Sequence, residues 1–432
     1  MSKANIKQAI QLKLGKKSLY YVTRDVERAA AGLLLGISNY FVITNTSPYS
    51  LELKKIYPRN IFCIGDISSK GEAPDTLELL KSEETKKIIK KEDDILVFKN
   101  TIQIEKTCKD NDWSLLNPRA ALANQVEEKI SQIEWLGPLA KYLPEYKIDV
   151  CKNIVWDDNK FVLQFNRSHT GSGTILITSK KQLEEIKEKF PDREARVAEY
   201  IPGPLFTNNN IVWGNEILAG NISYQITGLQ PFTDLPFATI GNDWALPHKI
   251  LDTDQIKEYK KISTAVGRRL AKQGWKGLFG VDIIMNENDN KLYLLEINAR
   301  QPASTTYESE LQSTVILSET KNLLKQTSRD PSVATLSQDD SLTTYTVHLL
   351  ALLEIPYEDQ RIIPITTGAQ IIQRVVSDCH LEQSREIPCT IDKNLQKNSN
   401  IIIYNNIKPG SDLFRYQFRE GVMKEHNKLL NY

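Results

Sequence analysis

A chain of 432 residues with 41% hydrophobic content is too long for one ordinary core and reads as two to four packed units. Its 55 Lys and Arg against 54 Asp and Glu leave +1, which gives no electrostatic footprint for a nucleic-acid or membrane partner. No run approaches the ~20 apolar residues of a membrane span, the start lacks a signal-peptide core, and five scattered cysteines without CxxC read as reduced thiols in a cytoplasmic protein. Cys379-His380 has no second pair at metal-ligand spacing.

Between residues 15 and 115, four β-branched and aromatic runs recur: LYYVT at Leu19, FVITN at Phe41, IFCIG at Ile61 and DILVF at Asp94. Polar, helix-prone stretches such as Asp25 to Leu35 and Pro74 to Lys91 separate them. This alternation predicts an N-terminal parallel α/β domain over residues 1–116. No G-x-G-x-x-G follows the first strand, so no dinucleotide site is assigned. Asn117 to about Tyr146 reads as helical, with Lys129 on a helix and breaks at Gly137-Pro138 and Pro144. Ile148 to Ile226 reads as strands around one charged helix, Lys180 to Phe190. Thr227 to Leu246 is a long polar and aromatic loop, either in contact with substrate or a surface loop packing Phe237 and Trp244. A helix from about Thr253 to Gln273 ends at Gly274 as a C-cap. Thr305 to Leu324 is helical and Ser328 to Ser341 linker-like; strand signals at AQIIQRVV and NIIIYN and a charged final helix make 343–432 a small α+β domain.

The chemistry concentrates at Gly277 to Thr305, GLFGVDIIMNENDNKLYLLEINARQPAST. Two apolar runs flank the turn composition Asn286 to Asn290, which predicts a β-hairpin. With the turn centred near Asn288, Asp282 pairs with Leu294, and Glu296 is its diagonal neighbour. Strand alternation then puts Asp282, Glu296 and Asn298 on one face, with Val281, Ile283, Met285, Tyr293, Leu295 and Ile297 on the other. A half-exposed hairpin with acids facing water is the plain alternative. Against it, Ile284, Leu292 and Leu294 share the acids' face in this register, so that face is not simply solvated. Buried carboxylates are costly and raise one another's pKa, and a hard divalent cation with oxygen ligands removes both problems.

This pattern resembles the ATP-grasp superfamily, in the carboxylate–amine ligase and biotin carboxylase-like branch. There an Asp on one strand and Glu-x-Asn on the next hold two Mg²⁺ ions against ATP, and Mn²⁺ can substitute. The resemblance implies metal ligation by Asp282, Glu296 and Asn298, and a contact from Arg300 of EINAR to phosphate or an acyl-phosphate intermediate. Asn117-Pro118 and the helix after it make Lys129 similar to the family's phosphate-touching basic residue. KFVLQFNRSHTGSGTILI resembles the glycine-rich lid, with Gly171, Ser172 and Gly173 cradling phosphate. Gln164 stands in that segment where members usually carry Lys, with Arg167 or His169 as compensating groups. VAEYIPGPLFT resembles the adenine hinge: Glu199 offers its carbonyl, Ile201 its N–H, and Tyr200 packs nearby. The family's ribose-binding Glu falls on Leu205.

The resemblance implies an ATP-grasp domain at 117–327 and an ATP- and Mg-dependent ligase releasing ADP and phosphate. The ligase would activate a small-molecule carboxylate as an acyl phosphate for attack by an amine, and the resemblance implies a homodimer. A carboxylase or phosphotransferase of the same fold, and a non-catalytic ATP-binding or regulatory protein, stand as alternatives.

Overall fold

The computed structural model describes residues 3–65, 73–166, 173–326, 341–376, 399–404 and 409–430. Arg167, His169, Gly171, Ser172, Cys379, His380, Cys389 and most of the linker-like stretch lie outside the described residues. Cys63, Cys108 and Cys151 are free thiols.

Strands β1 (Leu19–Val22), β2 (Tyr40–Thr44), β3 (Ile61–Cys63), β4 (Asp94–Leu96) and β5 (Ser114–Leu115) form a parallel sheet in the order β3-β2-β1-β4-β5. The first four are the strands expected. Successive residues of β1 enter different cores, as in a sheet covered on both faces. Leu19 and Tyr21 join Ile10 and Leu349 in one cluster, while Tyr20 and Val22 join Leu79 and Ile104 in another. Strand order reverses at β1, the kind of switch point beyond whose carboxyl strand ends open α/β sheets take ligands.

Next comes an antiparallel sheet of β6 (Tyr146–Val150), β7 (Phe161–Phe165), β8 (Thr174–Ile177) and β9 (Glu194–Glu199), ordered β6-β9-β7-β8. Leu163, Phe165, Ala195 and Val197 pack one face onto Leu183 of the Lys180–Lys189 helix. The alternate residues Val162, Gln164, Arg196 and Ala198 therefore point away from that helix.

The large sheet contains β10 (Leu205–Trp213), β11 (Glu216–Leu218), β12 (Ile222–Thr227), β13 (Thr239–Asp243), β14 (Gly277–Met285) and β15 (Leu292–Asn298). The helix Thr253–Ala271 packs on it through Tyr259, Ile262, Val266 and Leu270. Asp252 and Gln255 form a capping box at its start, and Gly274 adopts φ +81° just past its end. β16 (Ser341–Leu342) and β17 (Arg361–Ile362) make a parallel pair. β18 (Ala369–Arg374), β19 (Ser399–Ile403) and β20 (Asp412–Phe418) then extend the large sheet through β13, in the order β13-β18-β20-β19. β21 (Met423–Glu425) and β22 (Lys428–Leu429) close the described chain as a hairpin.

The C-terminal segment departs from expectation in two places. The charged final helix is instead β20 to β22, because alternation in DLFRYQF buries Phe414, Tyr416 and Phe418 on one face of the sheet. The helix Thr344–Leu352 was not anticipated: all nine residues are buried, so it shows no polar face to mark its period. The segment 227–246 is not structureless either. It contains β13, its Trp244 packs against Tyr307, Leu311 and Ile365, and buried Asp243 accepts four backbone N–H bonds, from Ala245, Leu246, Val422 and Met423.

Candidate active site

The hairpin β14–β15 carries the acids, but its register differs from the simple count. Asp282 pairs directly with Glu296, Ile283 with Leu294 and Met285 with Leu292, with a register shift between Asp282 and Ile283. The extra residue on β15 is a bulge, and it reverses side-chain parity beyond it. Leu292 and Leu294 thus face the core with Ile283 and Met285, rather than sharing the acids' face, and Tyr293 moves to the side of Ile284. The bulge keeps the core apolar while leaving the acids opposite one another.

Asp282 is 7% exposed. It accepts from the Thr207 hydroxyl at 2.6 Å and from the Asn298 amide at 3.1 Å. Burial, and then the neighbouring Glu296, push its carboxyl up to about 6; the two hydrogen bonds and Lys129 work the other way. Lys129 Nζ lies 2.9 Å from Glu296 Oε2. It sits not on a helix but in the turn after Ala120–Glu127, which ends as Glu128 adopts an extended conformation. A cation thus already stands opposite the acids.

Arg300, just beyond β15, pairs with Glu127, whose other oxygen meets Lys99 Nζ at 2.5 Å. This two-cation, one-anion arrangement holds the Arg300 guanidinium and leaves net positive charge beside Glu296. Gln301 fastens the strand exit to the N-terminal sheet. Its N–H donates to the Phe98 carbonyl at 2.9 Å, its side-chain oxygen accepts from Tyr21 at 2.7 Å, and Arg28 donates to its carbonyl. Arg300 therefore stands beside the carboxyl ends of β1 and β4.

Gln164 lies on β7, its amide donating weakly to Thr174 at 3.4 Å, and Gly173 accepts from Phe165 N–H at the near end of the lid segment. Glu199 ends β9, Tyr200 follows it under Lys160, and Ile201 is buried. Gly203 then passes against the hairpin: Met285 N–H donates to the Pro204 carbonyl and Glu287 N–H to that of Pro202. Leu205 opens β10 opposite Ile284.

The structure thus gathers Asp282, Glu296, Asn298, Lys129 and Arg300, with Gln164 and the hinge on the neighbouring small sheet. Sequence reasoning did not find Thr207, Lys99, Glu127, Tyr146, Ile148 or Arg196. Tyr146, Ala198 and Val162 form one rung across β6, β9 and β7, and Ile148, Arg196 and Gln164 the next, on the face turned from the helix. Tyr146 and Ile148 are 38% and 39% exposed, an apolar surface left uncovered. Period-two reading of EARVAE puts Arg196 with Ala198, but only the register joins them to Gln164.

The donor set suits a hard cation. Two carboxylates and an amide meet on adjacent strands, Asp282 bears an unrelieved burial cost, and a half-turn of the Asn298 amide presents its oxygen. Three protein donors leave positions for phosphate oxygens or water.

The architecture is that of the ATP-grasp fold. Among solved structures, the chain is similar to N5-carboxyaminoimidazole synthetase from Staphylococcus aureus complexed with ADP, at 13% identity, 93% coverage of both chains and a TM-score of 0.58. The synthase from Aspergillus clavatus, in complex with ADP and 5-aminoimidazole ribonucleotide, gives 15%, 93% of both chains and 0.57. L-amino acid ligase from Bacillus licheniformis gives 12%, 93% of both chains and 0.54. No family model and no curated protein matches the chain.

Proposed function

We propose that this protein is an ATP- and Mg²⁺-dependent carboxylate–amine ligase that releases ADP and phosphate. The observation that carries the reading is the buried Asp282 facing Glu296 beside Asn298, with Lys129 paired to Glu296 and Arg300, held by Glu127, close enough for both acids to act on its charge. Likeness in fold to two kinds of ligase, 93% of each chain covered, supports it.

In this reading Asp282, Glu296 and Asn298 hold Mg²⁺, which neutralises charge on the transferring phosphoryl group when bound. The hinge from Glu199 to Ile201 meets adenine through backbone groups, while the Tyr146–Ala198–Val162 rung offers it an apolar surface. Lys129 exchanges its contact with Glu296 for phosphate. The carboxylate substrate is received at the switch point beyond the carboxyl ends of β1 and β4, beside Arg300. Its oxygen attacks the γ-phosphorus, the bond to the β-phosphate oxygen breaks, and ADP leaves. Arg300, held by Glu127, stabilises the resulting acyl phosphate. An amine then attacks the acyl carbon, phosphate departs, and the amine's surplus proton passes to solvent. No step uses a covalent bond to the protein.

The test is ADP release from pools of small carboxylates and amines, with mass spectrometry of the products. ADP with a new amide mass supports the reading. A phosphorylated product without amine incorporation makes the protein a phosphotransferase, and AMP release contradicts the mechanism.

A further inference from the structure

We propose that Arg196 supplies the cation that binds the nucleotide's polyphosphate, in place of the neutral Gln164 directly across the strand pair. The proposal rests on the reading of this cleft as a nucleotide site.

Arg196 lies in the middle of β9, with Ile148 on one side and Gln164 on the other. Its side chain is 1% exposed, yet Nε and Nη1 have no hydrogen-bond partner among the described residues, and it forms no ion pair with a described carboxylate. Its guanidinium lies over the Tyr146 ring, with Cζ 5.7 Å from the ring centroid. A guanidinium with two nitrogens buried and unsatisfied costs free energy in the empty protein, unless an anion completes the site. Lys129 and Arg300 are committed to Glu296 and Glu127; Arg196 holds no such carboxylate. Its nitrogens form a planar fork that fits two phosphate oxygens, which an amide such as Gln164 cannot neutralise.

Position supports the same assignment. Arg196 and Ala198 share a face two residues apart, about 7 Å along the strand. Ala198 belongs to the apolar rung, and the hinge follows at Glu199. Glu296 is also near enough to act electrostatically on Arg196. The guanidinium therefore lies near both an apolar base platform and the charge of Glu296, which suits it to the inner phosphates of a nucleotide. A cation moved from β7 to β9 explains how a site with glutamine at 164 keeps its charge.

Calorimetric titration with Mg-ATP, Mg-ADP and adenosine tests this, alongside thermal melting, on wild type, Arg196→Met and the double variant Arg196→Met/Gln164→Lys. The expected result is binding of both nucleotides by wild type and a loss of about ten- to a hundredfold for both in Arg196→Met, the range for a charged hydrogen bond. Adenosine affinity should not change, the unliganded Arg196→Met protein should melt no lower than wild type, and the double variant should regain part of the loss. Nucleotide affinity equal to wild type in Arg196→Met overturns the proposal and leaves the ligase reading standing. So does a lowered melting temperature with adenosine lost in parallel, which would make Arg196 structural. Failure of wild type itself to bind either nucleotide removes the site reading and this proposal together.

Discussion

At the scale of single residues, two buried carboxyls stand in different surroundings. Asp282 faces Glu296 across the hairpin. Glu308, on the helix Thr305–Gln326, instead accepts from Asn209, from Asn221 at 3.0 Å and from Thr344 at 3.1 Å, tying β10 to the C-terminal helix. Burial outweighs these bonds and pushes its carboxyl up to about 7. A carboxyl raised in the folded state binds protons that the unfolded chain has released. Its stabilising share is full below the unfolded value near 4.5 and is lost as pH rises through about 7. The melting temperature of wild type relative to Glu308→Gln should therefore fall between pH ~5 and ~8. A constant difference across that window would show that Glu308 does not titrate as its surroundings imply.

Secondary-structure elements show how much the amino-acid pattern could reveal. The four main strands of the first sheet and the hairpin of β14 and β15 were legible, because apolar alternation and turn composition are local signals. The bulge in β15 was not, since one unpaired residue leaves no mark in LYLLEIN, and Leu292 and Leu294 were assigned to the wrong face in consequence. Lys129 was placed on a helix because the turn at Glu128 carries no Gly or Pro. Among the site residues, the acids stood out against apolar flanks, whereas Arg196 and Thr207 acquire meaning only from strands distant in sequence. Gly203 joins the hinge to the hairpin at φ +141°, and a Cβ there would lie 2.0 Å from the Met285 carbonyl oxygen. Gly203→Ala should cost about 1–3 kcal/mol of stability and weaken Mg-ATP binding by displacing Glu199 to Ile201. Denaturant unfolding with a parallel nucleotide titration checks both; unchanged values would mean that the hinge does not depend on this close approach.

For the whole molecule, the N-terminal sheet, the large sheet and the C-terminal strands meet around buried ion pairs. Arg415 on β20 lies 2.6 Å from Glu27, which precedes β2 at the start of the helix Glu27–Leu33, and 3.5 Å from Asp25. Both partners of the closer pair are 1% exposed. Tyr40 and Tyr345 share a hydrogen bond of 2.7 Å across the same junction. These contacts join the segment 343–432 to residues 25–45, a link that no local pattern announces. Removing one partner of a buried pair strands the other, so Arg415→Met should destabilise by about 3–5 kcal/mol. Glu27→Gln in addition should recover part of it, because the stranded charge is gone. Urea unfolding of the single and double variants measures this, and a single variant as stable as wild type would show that the pair does not hold the junction together.

The central claim is that Asp282, Glu296 and Asn298 form a magnesium site that receives ATP. Titration of ATP with and without Mg²⁺ into wild type and Glu296→Gln tests it most directly. Wild type should bind ATP in a Mg²⁺-dependent manner, and Glu296→Gln should lose at least about tenfold in Mg-ATP affinity, as expected for one charged contact, while melting near the wild-type temperature. No Mg-ATP binding by wild type with substrates present, or the same Mg²⁺ dependence in both proteins, would contradict the claim.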